Sequence, residues 1–234
     1  MEISKNLEIL DLALWLKKEQ TLLISDLHLG YEETLQQQGI LLPKSQGKEI
    51  IQRLKTIFQK IKPKTIIING DIKHEFGRVL KQEWSEVLQL VDFLLEHCSQ
   101  LILIRGNHDM ILGPIAAKRN IQIVDSYQID NTFITHGDKI IQTKAERIII
   151  CHEHPAVCLR ENSKVEKYKC FLKGKWQRKE LIVLPSFNSL LEGTDILKET
   201  LLSPYLDDLS KFEIFIVGKE EVYDFGKVKD VVRL

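Results

Sequence analysis

The chain has 234 residues, 44% of them hydrophobic and 28% charged, with 33 basic and 33 acidic side chains that cancel. That length sustains a core without staples, and zero net charge leaves no global field to draw the protein to nucleic acid or a membrane surface. The four cysteines form no Cys-x-x-Cys pair, and no apolar run reaches the ~20 residues of a membrane span. A disulfide framework and an integral membrane role are thereby excluded, and the reading is a reduced, cytoplasmic protein.

Taken in chain order, residues 12–16 and 21–25 are short apolar runs separated by Lys17-Lys18-Glu19-Gln20, which predicts a hairpin. Residues 29–46 read as a long loop containing a helical turn. Residues 48–60 carry helical spacing, with Ile50, Ile51, Leu54, Ile57, Phe58 and Ile61 on one face, and Pro63 stops the helix. The isoleucine run at 65–69 predicts a fully buried strand. A second amphipathic helix over 82–98 turns Trp84, Val87, Leu88, Val91, Leu94 and Leu95 inward, and 101–104 is another buried strand. Beyond Asn120, strand-like runs dominate: 121–124, 132–135, 147–150, 168–172, 181–184, 213–217 and 222–225. No linker divides the chain, so residues 1–234 are expected to form one α/β domain, with a second sheet packed on the first and helices on the outer faces.

The chemistry lies in what ends the strands. The run 21–25 leads into Asp26-Leu27-His28, and 65–69 into Gly70-Asp71. Strand 101–104 is followed by Gly106-Asn107-His108-Asp109, 132–135 by His136-Gly137-Asp138, and 147–150 by Cys151-His152-Glu153-His154. Ligands of open α/β sheets bind beyond the carboxyl ends of strands. Residues one apart on an extended chain point the same way, so Asp26 and His28 can grip one ion, and His152 and His154 stand side by side. Five of the seven histidines fall in these clusters, a coincidence that turn chemistry does not explain.

Across about residues 20–155 this set of motifs resembles the calcineurin-like metallophosphoesterases. Within that superfamily the chain looks most like small archaeal phosphoesterases related to the nuclease SbcD. That nearer likeness rests on Gly-Asp-Ile-Lys-His-Glu-Phe-Gly at 70–77, His-Glu-His-Pro at 152–155 and Leu-Pro-Ser-Phe-Asn at 184–188. The resemblance implies a four-layer α/β/β/α sandwich of two mixed sheets with flanking helices. It also implies two divalent ions. Asp26, His28 and His154 would hold one, Asn107, His136 and His152 the other, and Asp71 would bridge them. The mixed nitrogen and oxygen donors suit Mn²⁺, with Fe²⁺, Zn²⁺ or Ni²⁺ as alternatives. Two ions ~4 Å apart would lower the pKa of a bridging water and generate the attacking hydroxide. His108 would protonate the leaving oxygen, with Asp109 orienting its imidazole, and His74 and Asn107 would join His108 in touching the substrate. The superfamily usually has Gly where Cys151 stands, and the cysteine reads as a structural substitution.

The remaining candidates have plainer readings. Arg78 is a solvated loop arginine, Asp138 caps a turn, His97 sits beside a helix C-terminus, and Glu153 points away from its histidine neighbours. Between 160 and 179 there are eight basic residues against two acidic ones, interleaved with Tyr168, Phe171 and Trp176. That segment is either a nucleic-acid surface or a hairpin with a solvated lysine face and its aromatics in the core. Only 80 residues follow His154, too few for a separate DNA-capping domain as well. The expectation is a phosphodiesterase, with a nuclease and a phosphomonoesterase as successive alternatives. A non-catalytic scaffold is disfavoured, because all seven metal-binding side chains are present. The apolar C-terminal residues 231–234 could add a strand or meet a neighbour, and the oligomeric state is not legible.

Overall fold

The computed structural model describes residues 1–43, 45–75, 81–109, 119, 121–161 and 164–231. Arg78, the end of the 70–77 motif and residues 232–234 lie outside them.

The first sheet has seven strands in chain order: β1 (Glu2–Ser4), β2 (Leu7–Leu10), β3 (Ala13–Leu16), β4 (Thr21–Ser25), β5 (Thr65–Asn69), β6 (Gln100–Ile104) and β7 (Gln122–Val124). Strands β1 to β4 form an antiparallel meander, and β4 to β7 run parallel. Between β4 and β5 lie α1 (Tyr31–Gln37) and α2 (Gln46–Phe58), and α3 (Lys81–Leu95) precedes β6. The loop expected at 29–46 thus contains two turns of helix. Its sequence hides them because Glu32 is the buried side chain of α1, which leaves no apolar stripe to detect.

The second sheet is also mixed. It comprises β8 (Ser126–Ile129), β9 (Thr132–Thr135), β10 (Arg147–Ile150), β11 (Pro155–Glu161), β12 (Lys164–Trp176), β13 (Lys179–Val183), β14 (Thr194–Asp195), β15 (Glu213–Val217) and β16 (Val222–Lys227). The central strands β9, β10 and β13 are parallel, whereas β11 and β12 form a long antiparallel hairpin. The 168–172 run is therefore the middle of a much longer strand.

Period-two alternation distributes the apolar side chains among three cores. Leu22, Ile24, Ile66, Ile68, Leu101 and Leu103 face Ile50, Leu54, Val87 and Leu94 of the helices. Their neighbours Leu23, Ile67, Ile102 and Ile104 face the second sheet, where they meet Ile134, Ile149, Phe171, Ile182 and Phe215. The outer face of the second sheet, with Ile148, Ile150, Leu181 and Val183, is covered by Tyr205, Leu206, Leu209 and the short α4 (Val228–Val231). Strands buried on both faces must be apolar at every position, which is why 65–69 and 147–150 read as unbroken runs. Among the described residues no helix is long and apolar enough to cross a membrane.

Candidate metal centre

Register brings the chemistry together. Ser25 pairs with Asn69 and Asn69 with Ile104, so β4, β5 and β6 end level and deliver Asp26, Asp71 and Asn107 to one edge. In the second sheet Ile149 pairs with Ile134, which sets His136 and His152 at matching strand ends. The two sheets are tied at this edge by the Asn69 side chain, whose Nδ2 donates to the Thr135 carbonyl at 3.0 Å.

All seven expected metal-binding residues converge. Ligand atoms of Asp26, His28 and His154 lie within 4.8 Å of one another, and so do those of Asp71, His136 and His152. Asn107 Oδ1 is 2.9 Å from His136 Nε2, which is itself 3.0 Å from His152 Nδ1. Asp71 Oδ2 stands between the two groups, 3.7 Å from His28 Nε2 and 3.5 Å from His136 Nε2.

The backbone is strained here. Asp26, His28, Asp71, His152 and His154 all have positive φ, between 28° and 48°. Such conformations cost about 1–3 kcal/mol each and concentrate at functional sites. Two glycines permit the close approach. A Cβ on Gly70 would lie 1.9 Å from His136 Nδ1, and one on Gly106 would lie 2.0 Å from Asp71 Oδ1.

Electrostatics point to a cation. Both Asp26 oxygens, His28 Nε2 and His154 Nε2 are buried and make no hydrogen bond. Buried polar atoms in native proteins are normally satisfied, so four such atoms aimed at one point fit a divalent ion with mixed carboxylate and imidazole ligands. Burial, reinforced by the Asp26 and Asp109 carboxylates, pushes Asp71 up to about 9. Burial pushes Asp26 the same way, but His154, His136 and His28 outweigh it and hold that carboxyl below its usual range. Burial lowers His136 to about 4 and takes His28 well below 6.5, leaving neutral imidazoles with lone pairs to donate.

The two non-ligand histidines line the rim. His74 Nδ1 is 3.4 Å from His28 Nδ1, and its ring meets Tyr31 edge-on at 4.7 Å. The His108 amide donates to Asp71 Oδ1 at 2.9 Å, and its Nε2 is 3.9 Å from Asp71 Oδ2. The orienting group of His108 differs from expectation. Its Nδ1 donates to the His74 carbonyl, whereas the buried Asp109 carboxylate accepts the amides of Ile72 (3.1 Å) and Gly106 (3.1 Å). Asp109 therefore organises two loops, and burial first of all lowers His108 to about 4.

Sequence reading missed the residues that hold the ligand loops. Ser186 Oγ donates to the Asp26 carbonyl at 2.7 Å, the Phe187 amide to the Ser25 carbonyl at 2.8 Å, and Ser25 Oγ to the Pro185 carbonyl at 2.9 Å. Lys169 Nζ grips the carbonyls of Ser186 and Asn188 from behind. Gln46 Nε2 donates to the carbonyls of Leu27 and His28, and Glu83 Oε1 accepts the amides of His74 and Glu75. The available signal is the Leu-Pro-Ser-Phe-Asn stretch at 184–188.

The other candidates fall as follows. Glu153 is buried away from the centre, accepting the amides of Leu202 and Ser203. His97 is exposed, bonds the Phe93 carbonyl near the end of α3 and stacks on Phe58. Asp138 is half-buried. In the basic segment, Lys167 binds Glu199 and the Gly193 carbonyl. Lys173 binds Glu213 and the Ile3 carbonyl, and Lys179 binds the carbonyls of Thr143 and Ala145. Phe171 is in the inter-sheet core, and Tyr168 and Trp176 pack against the outer core.

Two sheets that deliver seven carboxylate, amide and imidazole groups to one point define a metal-dependent hydrolase. The chain belongs to the calcineurin-like phosphoesterase family, whose profile matches residues 20–208, and is a hydrolase acting on phosphoesters with divalent metal. Among solved structures, the nuclease MPE of Pseudomonas putida is similar at 21% identity and a TM-score of 0.66, covering 92% of this chain and 93% of its own. YfcE, a phosphoesterase of E. coli, aligns at 12% identity and a TM-score of 0.42 over 89% of this chain and 97% of its own. No curated protein sequence matches.

Proposed function

We propose that the protein is a two-metal phosphodiesterase. Asp26, His28 and His154 would hold one ion and Asn107, His136 and His152 the other, with Asp71 within reach of both. The observation that carries this reading is the position of Asp71 Oδ2, 3.7 Å from a nitrogen of one group and 3.5 Å from a nitrogen of the other. When bound, the two ions would supply Lewis acidity and lower the pKa of a coordinated water.

The protein's own groups do the rest. His108 Nε2 faces the centre while Nδ1–H is fixed on the His74 carbonyl, so Nε2 is the atom that takes up a proton and passes it to the leaving oxygen. His74 contacts a phosphoryl oxygen beside it. The rim favours a diester over a monoester, because a dianionic monoester calls for an extra cation. Among the described residues, the nearby Lys73 is buried with its ammonium turned to the Glu75 carbonyl, and the rim imidazoles His74 and His108 are kept neutral by burial.

Metal-stripped protein assayed on bis-p-nitrophenyl phosphate and p-nitrophenyl phosphate, with Mn²⁺, Zn²⁺ or Mg²⁺ added, tests the reading. Metal-dependent cleavage of the diester, abolished by Asp71→Asn, is expected. Preference for the monoester would replace it with a phosphatase. A second reading, a nuclease on single-stranded DNA ends, is favoured by the fold shared with the Pseudomonas putida nuclease. Labelled single-stranded DNA is the substrate that tests it.

A further inference from the structure

At the end of β10 this chain buries a cysteine against His136. Cys151 follows β10 directly, is fully buried, and sits with its Sγ 3.2 Å from His136 Nδ1. The same sulfur is 3.0 Å from the Asn69 carbonyl oxygen and 3.4 Å from the His136 carbonyl oxygen. A carbonyl can only accept, so the sulfur carries its proton and donates it there, which leaves its lone pairs facing the imidazole.

That arrangement bears on how His136 binds an ion. Its Nε2 points into the centre, toward Asn107 Oδ1 at 2.9 Å, His152 Nδ1 at 3.0 Å and Asp71 Oδ2 at 3.5 Å. To donate a lone pair, Nε2 must be unprotonated, and the ring proton must sit on Nδ1. Two acceptors face Nδ1: Cys151 Sγ at 3.2 Å and Asp26 Oδ1 at 3.5 Å. Asp26 lies within reach of both groups, His28 with His154 and His136 with Cys151, but neither of its oxygens makes a hydrogen bond and the sulfur is the nearer acceptor.

We propose that the Cys151 thiol is a positioning residue for His136, accepting its Nδ1–H so that Nε2 is presented to an ion and Asp26 keeps both oxygens for the other. The partner on the far nitrogen of a ligand histidine fixes its tautomer and its aim. Without the sulfur, Nδ1–H turns to Asp26 Oδ1 and one acidic ligand is drawn away from its ion.

This inference rests on the two-ion reading, and the test separates their failures. Long-range proton–nitrogen spectra of metal-stripped, histidine-labelled protein read the tautomer directly. His136 is expected as the Nδ1–H form in the wild type and in Cys151→Ser, whose hydroxyl also accepts. An Nε2–H form in the wild type overturns the proposal without any metal being added. Calorimetric titration with Mn²⁺ is the second arm. Cys151→Ala is expected to lose about 10–100-fold in affinity for at least one ion, and Cys151→Ser to recover most of it. Equal binding by wild type and Cys151→Ala overturns the proposal and spares the two-ion reading. Failure of the wild type to bind Mn²⁺ overturns both. In Co²⁺-loaded wild type, a sulfur-to-cobalt charge-transfer band would show the sulfur to be a ligand and likewise overturn the positioning role. If Cys151→Ala does not fold, the wild-type tautomer and the cobalt spectrum still decide.

Discussion

His108 shows how far a single side chain can be argued. Its amide is committed to Asp71 Oδ1 and its Nδ1 to the His74 carbonyl, which leaves Nε2 as the nitrogen able to exchange a proton at the rim. Asn at this position keeps the backbone amide and the approximate shape but removes that proton-exchanging nitrogen. His108→Asn is therefore expected to keep both Mn²⁺ sites while losing about 10²–10⁴-fold in kcat, the usual worth of general acid catalysis. Titration of Mn²⁺ alongside steady-state kinetics checks it. A kcat within a few-fold of wild type would remove His108 from the chemistry, and a loss of metal would make it a structural residue. The seven candidate ligands stand out in the sequence because each lies just beyond an apolar strand. The partner of His108 does not, since a backbone carbonyl leaves no mark on residue type and the neighbouring Asp109 suggests itself instead.

At the scale of elements, legibility follows burial. Strands β5, β6 and β10 are covered on both faces, so their apolar runs are continuous and stand out. Strands β1 and β8 mix polar and apolar residues over few positions, and the first helix buries a glutamate rather than an apolar stripe. The supporting loop was also unreadable. Ser186 matters because it reaches the Asp26 carbonyl 160 residues away in sequence, a contact no local pattern encodes. That bond holds the positive-φ turn at Asp26, and Ser186 Oγ also accepts the Asn188 amide at 3.1 Å. Ser186→Ala leaves a buried carbonyl and a buried amide without their partner. It is expected to cost about 1–3 kcal/mol of stability and to weaken Mn²⁺ binding. Urea unfolding and calorimetry on the same variant test both parts. An unchanged unfolding midpoint with unchanged affinity would mean that the turn at Asp26 is held by the Phe187–Ser25 pairing alone.

For the whole molecule, the metal centre is where two sheets share an edge, so ion binding and global stability must be linked. An ion that binds the folded chain alone stabilises it by about 2.7 kcal/mol when its free concentration is a hundredfold above Kd. The pH dependence of that gain follows from Asp71. Without ions its carboxyl is raised to about 9 from an ordinary 3.8. A raised carboxyl contributes stability that is complete below the ordinary value and is lost as pH climbs through the raised one. Over pH 7 to 9 this erodes the metal-free protein. The buried Lys169, lowered to about 7 by burial, acts in the opposite direction over the same range. Lys169 feels the Asp26 carboxylate, so an ion bound there would disfavour its proton further and add to the gain as pH rises. His28, His108 and His136 are neutral above about pH 7, because burial lowers them. There remains the proton that an ion must displace from Asp71, and displacing it becomes easier as pH rises. The rise in Tm caused by Mn²⁺ at a fixed free concentration is therefore expected to be larger at pH 8.5 than at pH 7. Scanning calorimetry of metal-stripped and loaded protein at the two pH values measures it. A gain independent of pH would mean that Asp71 is already ionised at pH 7 without ions, and that the neighbouring imidazoles offset its burial more completely than the Asp26 and Asp109 carboxylates oppose it.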